Sequence, residues 1–188
     1  MASLAPYEQH LLLNRSPIVH AQDDRYSGQI LIPASQQQVW NVMTDYSNFD
    51  QFLPSVKLSR VLEAAGDRTV VEQVSSVKVM LADVQSRIRT ENIETPQSRI
   101  DFRLIQGDLK LMKGAWTLQP VTMHGTEADD WGETAVLLRQ TVRARAGKGW
   151  FEGVFSMIFT NSMKENLTAL CCESQRREQH SKKAMVMA

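Results

Sequence analysis

The sequence predicts an α+β domain in which a curved antiparallel sheet of seven strands wraps around one long C-terminal helix. The longest helical period in the chain covers residues 150–177, and strand-like alternation fills most of residues 56–146. Two short helical segments separate the first predicted strand from this run of strands. Because a strongly twisted sheet curls, it offers a concave apolar face, and the final helix is the only element left to fill that face.

The predicted C-terminal helix has one apolar side. Apolar residues recur there at spacings of three and four, which places them on the same face of a helix. They are Phe151, Phe155, Ile158, Phe159, Met163, Leu167 and Leu170. Such a helix is about 40 Å long, and burying this face contributes on the order of 10–20 kcal/mol before the opposing chain entropy is counted. The rest of the chain therefore has to build a broad apolar surface.

The N-terminal residues 1–24 show no sustained period. Pro6, Pro17 and several charges separate two short apolar clusters, so this segment is expected to be an arm on the surface or a mobile tail. The folded domain is expected to span residues 25–178, and residues 179–188 are expected to form a C-terminal tail.

The first strand of the predicted domain alternates and then stops at a proline. Tyr26, Gly28, Ile30 and Ile32 fall on one side of it. Pro33 cannot continue a hydrogen-bonded ladder, so the strand ends there.

Two short helical segments are predicted after this strand. Ser35 and Gln38 have the spacing of a capping box, in which the first side chain caps the start of a helix. Residues 45–54 interleave aromatic residues with turn formers and are predicted to form a short second helix or a loop. This segment is either a turn that caps the core or a lid over a cavity.

Six further strands are predicted as an antiparallel meander with one apolar face and one wet face. They cover residues 56–64, 69–77, 79–93, 98–106, 109–119 and 134–146. The arginines assigned to the wet face are Arg87, Arg89, Arg99 and Arg103. Residues 120–133 carry several acidic side chains and are expected to form an exposed loop.

The composition favours one folded domain without a strongly charged partner. The chain has 188 residues, 43% of them hydrophobic, and its 21 Lys and Arg balance 21 Asp and Glu. A balanced total offers no basic excess to neutralise a phosphate backbone, so no nucleic-acid partner is expected.

The cysteines and the apolar runs indicate a cytoplasmic protein. Cys171 and Cys172 are adjacent on the predicted helix, where a mutual disulfide would be strained, so a reducing compartment fits best. The apolar run at residues 11–13 is too short for the core of a signal peptide. No window approaches the ~20 apolar residues of a membrane span.

Four short motifs, taken in their order, resemble one protein superfamily. They are Ile30-Leu31-Ile32-Pro33-Ala34 followed by Val39-Trp40, the aromatic segment at 45–54, Gly107-Asp108-Leu109-Lys110 with Gly114-Ala115-Trp116, and Asn166-Leu167-Thr168-Ala169-Leu170. Residues 25–178 are similar to the START-like, Bet v 1-like superfamily, and more closely to its polyketide cyclase/dehydrase branch, which includes the coenzyme Q-binding proteins. The resemblance implies a helix-grip fold and a deep pocket for a lipid, an isoprenoid quinone, a polyketide or another apolar molecule. It does not imply one activity, because members are carriers, chaperones, sensors and a few enzymes.

The sequence shows no recognisable catalytic or metal-binding constellation. Its histidines fall in the arm, the acidic loop and the chain end, where solvated surface residues are expected. They are His10, His20, His124 and His180. No set of cysteine, histidine and carboxylate has metal-ligand spacing, and no phosphate-binding glycine loop or nucleophile elbow occurs. We therefore assign no catalytic residue, no metal ligand and no cofactor.

Candidate ligand-binding residues come from the aromatic segment, the inward strand positions and the helix face. They are Phe49, Phe52, Leu53, Phe102, Met112, Trp116, Leu138, Gln140, Phe155, Phe159, Ser162, Met163 and Asn166. Trp116 is either plain core or a stacking platform, and Gln140 bonds either a neighbouring group of the protein or a ligand carbonyl. Ser162 and Asn166 interrupt the apolar arc of the helix, so they either anchor it to the sheet or orient a ligand.

We predict a protein that binds an apolar small molecule in a cavity between the sheet and the C-terminal helix, as a carrier or chaperone. A cyclase or dehydratase acting on a polyketide-like substrate is the alternative, and a module that binds a protein segment is a third. The pattern lacks a recognisable acid/base pair, which favours binding over catalysis. Transient contact with a membrane or a protein, the oligomeric state and the identity of the ligand are left open.

Overall fold

The structure, a computed structural model, describes residues 6–79, 82–122, 134–147 and 152–186. Its strands are β1 Ile18–Gln22, β2 Arg25–Ile32, β3 Val56–Ala65, β4 Arg68–Val79, β5 Ala82–Thr95, β6 Arg99–Gly107, β7 Leu111–Thr122 and β8 Thr134–Arg145. The helices are α1 Pro6–Leu13, α2 Gln36–Met43, α3 Phe49–Phe52 and α4 Glu152–Val186, with a 3₁₀ turn at Tyr46–Asn48 before α3. Within these residues the strands form one antiparallel sheet in the order β1-β2-β8-β7-β6-β5-β4-β3.

The long helix α4 crosses the inner face of this sheet and lies closest to β2. A Cβ atom at Gly28 would stand 2.8 Å from both the Leu167 Cδ1 and the Met163 Sδ atoms, so glycine lets the helix approach the strand this closely. Beside this contact the ring centroids of Tyr26 and Phe159 lie 4.6 Å apart. The predicted α+β class is confirmed. An antiparallel sheet surrounds a long C-terminal helix, and two short helices follow β2, the strand that was predicted as the first.

The main core lies between the inner sheet face, α2 and α4. Its inward strand positions alternate as predicted, because residues two apart on a strand share one face. Ile30, Ile32, Val136 and Leu138 of β2 and β8 are almost fully buried there, and Leu167 of α4 packs into the same cluster. This part of the interface is filled.

The sheet has eight strands rather than the predicted seven. The additional strand, β1, lies in the segment that was expected to be an arm or a tail, and it pairs antiparallel with β2. Leu12 of α1 and Ile18 of β1 cover Leu31 and Leu137 on the outer face, which forms a small second core. The apolar clusters of this segment are too short to show a period in the sequence. They bury the outer apolar side chains of β2 and β8 only once the segment has folded onto these strands. The domain boundaries at residues 25 and 178 stay predictions.

Helix α4 runs past its predicted end at Arg177 and continues to Val186, into the predicted C-terminal tail. The added turns have no apolar face, and an ion pair at i,i+4 supports them instead. Glu178 Oε1 lies 3.5 Å from Lys182 Nζ in these turns, and Glu173 Oε1 lies 2.6 Å from Arg177 Nε just before them. The described helices include none with a stretch sufficiently long and apolar to pass through a bilayer.

Helix α2 begins at the predicted N-cap, whereas β7 is longer than predicted. Ser35 Oγ accepts a hydrogen bond from the Gln38 backbone N–H at 3.3 Å, which confirms the predicted N-cap, and the same hydroxyl donates to Glu178 Oε2 at 2.8 Å. Strand β7 extends to Thr122, so residues 120–122 are strand and not loop. The remainder of the predicted acidic loop, residues 123–133, lies outside the described residues.

We expect Gly114→Ala to destabilise the fold strongly. A Cβ atom at this inward position of β7 would stand 1.9 Å from the Thr141 backbone oxygen and 2.9 Å from the Phe102 ring, so the strand pair would have to separate. Overpacking of this kind costs about 1–3 kcal/mol or more, measured as the free energy of unfolding in urea. Gly153→Ala is the matched control, because nothing lies within 4 Å of its Cβ position. Equal stability of the two variants would contradict the close strand packing.

Candidate ligand-binding cavity

A cavity of about 250 Å³ lies between the inner face of the sheet and the N-terminal half of α4. The end of α2, the 3₁₀ turn and the segment after α3 close one side of it with Met43, Tyr46, Phe49 and Leu53. Strands β3 to β8 and α4 supply the other walls. The cavity is therefore an unfilled part of the same interface that holds the core.

Eleven of the thirteen predicted ligand-binding residues line this cavity. They are Phe49, Leu53, Phe102, Met112, Trp116, Gln140, Phe155, Phe159, Ser162, Met163 and Asn166. The strand and helix periods place these side chains on the inner face, and the twist of the sheet brings them around one space. Their contact with a ligand stays a prediction.

The other two predicted residues, Phe52 and Leu138, do not line the cavity. Leu138 is fully buried between its strand neighbours Ile30 and Leu118, in the filled part of the core. The Phe52 ring packs edge-on against Phe49, with the centroids 5.6 Å apart. Sequence periodicity gave the correct face for Leu138, but it does not tell how far along the helix the packing opens.

The wall that α4 presents is mostly aromatic and aliphatic, with two polar interruptions. Phe155 and Phe159 pack with ring centroids 5.5 Å apart. Two turns further along, the Asn166 Oδ1 atom is buried and accepts no hydrogen bond from any described residue. A buried acceptor without a donor costs roughly 1–3 kcal/mol. No described bond therefore supports the interpretation that Asn166 anchors the helix to the sheet.

The opposite wall, formed by β4, β5 and the residues before β3, carries a row of polar side chains between Val71, Val77, Val84 and Ile88. Sequence reasoning missed it. Its hydroxyl and amide side chains are Ser55, Gln73, Ser75, Ser86, Thr90 and Asn92. A signal for them was present on β5, where Arg87, Arg89 and Glu91 have to face water and therefore force the intervening residues inward. The cavity thus has a mostly apolar helix wall facing a strand wall that carries most of its polar groups.

Tyr46 is the one ionisable side chain among the described residues that line the cavity. Its hydroxyl donates to Glu94 Oε1 at 3.0 Å, and the Thr69 hydroxyl donates to the same oxygen at 3.0 Å. Burial first, and then the neighbouring Glu94 carboxylate, raise the pKa of Tyr46. The phenol therefore stays protonated at neutral pH, and its proton is already engaged.

Other reactive side chains lie away from the cavity. His10, His20 and His180 are exposed, whereas His124 is outside the described residues. Burial raises the pKa of the Cys171 thiol to about 12, which leaves little thiolate at neutral pH. In the described part of the chain, no three His, Cys, Asp or Glu residues lie together as metal ligands would.

An ion-pair cluster at the C-terminal half of α4 holds the segment that closes the cavity. The Arg177 guanidinium contacts Asp45 Oδ2 at 2.8 Å, Glu173 Oε1 at 2.6 Å and the face of the Phe52 ring, 5.6 Å from its centroid. Asp45 immediately precedes the 3₁₀ turn, and Phe52 ends α3. Arg177 therefore fixes both ends of this short segment to α4.

The sequence matches one protein family over residues 32–171, and that family is described as polyketide cyclase/dehydrase and lipid transport. Part of the chain is similar to the ribosome association toxin RatA of Escherichia coli K12. The two are 29% identical over 94 residues, which are 50% of this chain and 57% of the toxin. The chain thus spans little more than half the length of this curated relative.

Two solved structures share the fold. The Zhui aromatase/cyclase from Streptomyces sp. R1128 superposes with a TM-score of 0.63 at 18% identity, covering 81% of this chain and 94% of the enzyme. A START superfamily protein from Mycobacterium smegmatis gives a TM-score of 0.63 at 13% identity, covering 81% of this chain and 97% of its own. At such identities the similarity shows the common fold alone.

We expect the Glu173 cluster to contribute stability that disappears in acid. Hydrogen bonds from Arg176, and then from Arg177, lower the pKa of Glu173 from 4.5 to about 2. A carboxyl with a depressed folded-state pKa stabilises above its unfolded value, so this contribution is complete above about pH 4.5 and is lost between about pH 4.5 and 2.

The measurement compares the stability of the wild type and Glu173→Gln at several pH values. The difference should be on the order of 1 kcal/mol at neutral pH, because the group is near the surface, and it should shrink as the pH falls toward 2. Other acidic groups titrate equally in both proteins and cancel. A difference that does not change with pH would contradict the ion-pair explanation.

Proposed function

Since the chain belongs to the polyketide cyclase/dehydrase and lipid transport family, we propose that it binds a largely apolar, neutral small molecule in the described cavity, as a carrier or chaperone. The superfamily resemblance found in the sequence is confirmed at the level of this family. The coenzyme Q-binding branch stays a prediction, and an isoprenoid quinone, a lipid and a polyketide-like ring are the ligand classes that we consider.

The observation that carries the proposal is the lack of ionised side chains around the cavity. Among its described lining residues there is no Asp, Glu, His, Lys, Arg or Cys. A charged ligand would lose its hydration there without gaining a partner, which is costly, whereas a neutral ligand would not. This composition supports a ligand that carries no net charge.

The contrast between the two walls supports a ligand with oxygen atoms on one side. Thr90 and Asn92 on the strand wall supply hydroxyl and amide groups, and Gln140 adds an amide from β8. Across the space, Phe155 and Phe159 offer apolar contact. We infer that a ring or head group turns its hydroxyl or carbonyl oxygens toward β4 and β5 and its hydrocarbon toward α4.

The size of the cavity limits the part of the ligand that it encloses. At about 250 Å³ it lies just below the ~300–1,000 Å³ of typical small-molecule sites. A long prenyl or acyl chain would therefore extend out of the cavity, and we propose that its mouth lies beside Phe49 and Leu53. We propose that the segment held by Arg177 is the lid of this mouth.

A cyclase acting on a polyketide-like substrate is the second candidate. It is favoured by the row of hydroxyl and amide groups on β4 and β5, which could hold the carbonyl oxygens of a folded polyketone. Catalysis would also need a group that removes a proton. The Tyr46 hydroxyl is protonated and donates its hydrogen bond to Glu94, so it does not serve as this base. We therefore place binding ahead of catalysis.

The first test is mass spectrometry of small molecules extracted from the native protein. We expect a neutral, oxygenated apolar compound at about one equivalent, and the same compound should displace an apolar fluorophore from the protein. A native sample without saturable binding of any apolar probe would remove the carrier proposal and favour a module that binds a protein segment. Conversion of a polyketide-like substrate by the purified chain would favour the cyclase.

The second test replaces Asn166 by leucine. Because the buried Oδ1 atom has no donor among the described residues, Asn166→Leu should leave stability unchanged or slightly raised. Affinity for an oxygenated ligand should fall about tenfold, a loss of roughly 1.4 kcal/mol, measured by fluorophore displacement.

Asn161→Leu serves as the matched control, since Asn161 is exposed on the same helix and does not line the cavity. The control should bind like the wild type. A collapse of the melting temperature of Asn166→Leu with normal ligand affinity would assign Asn166 to architecture, and Ser162 would leave the site with it.

A further inference from the structure

Four basic residues stand side by side across four neighbouring strands on the outer face of the sheet. Arg25 of β2 lies directly opposite Arg143 of β8, Arg143 lies opposite Lys113 of β7, and Lys113 lies opposite Arg103 of β6. We call these residues the basic row. With strands about 4.8 Å apart, the row is about 14 Å long at the backbone.

This arrangement is unfavourable for the sheet itself, because like charges directly opposite each other destabilise a strand pair. Acidic neighbours compensate only part of the charge. Asp24 contacts Arg143 at 2.8 Å but is shared with Arg145 at 2.9 Å. Arg25 and Lys113 are exposed and have no ion pair with any described residue. Sheet stability therefore does not explain the row.

The remainder of the row is compensated in the same incomplete way. Glu91 accepts from Arg103 at 2.5 Å, and it also accepts from Arg68 at 2.7 Å. Each carboxylate next to the row thus serves two arginines, and an excess of positive charge remains.

The excess extends over the described outer face as a whole, which carries eleven basic and six acidic side chains on its strands and on the turn before β2. The basic residues are Arg25, Arg60, Arg68, Arg87, Arg89, Arg99, Arg103, Lys113, Arg139, Arg143 and Arg145, and the acidic ones are Asp23, Asp24, Glu63, Glu72, Glu91 and Asp101. The whole chain is neutral. A balanced total therefore conceals a basic face, which the expectation of no nucleic-acid partner did not consider.

The outer face also has an open groove that contains the basic row. This groove of about 1010 Å³ runs over β1, β2 and β5 to β8, and all four residues of the basic row line it. Of the described large apolar side chains along the groove, only Ile93 is exposed, so few groups could insert into lipid. This scarcity of apolar groups favours a nucleic-acid backbone over a membrane surface.

The groups that surround the row favour duplex RNA among the nucleic acids. Single strands are usually held by stacking on exposed aromatic rings, but Tyr26 and Phe102, which border the groove, are buried in the inner core. Next to the row, Ser27 of β2 lies opposite Thr141 of β8 and presents a pair of hydroxyl groups. Double-stranded RNA is recognised largely through its phosphates and its 2′-hydroxyls, and this set suits both.

We propose that the outer-face groove binds double-stranded RNA without sequence preference, with the basic row on its phosphates and with Ser27 and Thr141 beside the ribose hydroxyls. The groove and the ligand cavity lie on opposite faces of one sheet, so the two sites can be occupied at the same time. This proposal does not depend on the ligand of the cavity.

The test uses the full chain and an RNA duplex of about 16 base pairs, the length that a double-stranded-RNA domain spans. Fluorescence anisotropy should show binding whose association constant falls by three to four decades per tenfold rise in salt, as about four phosphate contacts require. A DNA duplex of the same sequence should bind at least severalfold more weakly, because it lacks the 2′-hydroxyl groups.

Lys113→Gln should weaken RNA binding roughly tenfold near 0.1 M salt and lower the salt slope by about one. Arg25→Gln should do the same independently. Lys164→Gln is the matched control, since Lys164 is exposed on α4, away from the groove. Melting temperature and fluorophore binding to the cavity verify that each variant is folded.

Several results would overturn the proposal. One is an absence of salt-dependent RNA binding by the folded wild type, and another is equal weakening by Lys113→Gln and Lys164→Gln. Equal affinity for the DNA duplex would remove the assignment to RNA. Binding to vesicles of phosphatidylglycerol that depends on Lys113, without binding to RNA, would assign the face to membranes instead.

Discussion

The contact of α4 with β2 determines where this protein has room for a ligand. Gly28 lets Met163 and Leu167 reach the strand backbone, so the helix lies toward one side of the sheet. Strands β4 and β5, on the other side, have no comparable contact with the helix. The cavity is the space between this off-centre helix and the far strands. It exists because the sheet is wider than the helix that packs on it.

The same asymmetry explains how one inner face can be both apolar and polar. Opposite α4, an inward residue loses all contact with water, and Ile30 and Leu138 are accordingly aliphatic and fully buried. Over the cavity, Thr90 and Asn92 face a space that can hold water or a ligand oxygen, so their polar groups need no partner from the protein. Polar side chains on the inner face are thus concentrated on the strands that the helix leaves uncovered.

The sequence allowed the architecture to be predicted because its two main periods are long. The face of α4 and the alternation of the strands each involve many residues, whereas α1 and β1 depend on isolated residues such as Leu12 and Ile18. The polar wall was missed because inward positions were expected to be apolar, although the charges at Arg87 and Arg89 determine the register by themselves. Phe52 and Leu138 show a different limit, since a period identifies a face but not the distance to the opposite wall.

The small second core has a consequence for stiffness. Leu31 and Leu137 are covered by α1 and β1, while their neighbours Ile30 and Leu138 are covered by α4, so β2 and β8 are packed on both faces at this end of the sheet. Strands β4 and β5 have solvent on one face and the cavity on the other. We therefore expect amide protons at this end of β2 and β8 to exchange only when the whole molecule unfolds, and those of β4 and β5 to exchange through local opening. A ligand in the cavity would pack against the inner faces of β4 and β5. Ligand binding would therefore reduce local opening in the half of the sheet that the helix does not cover.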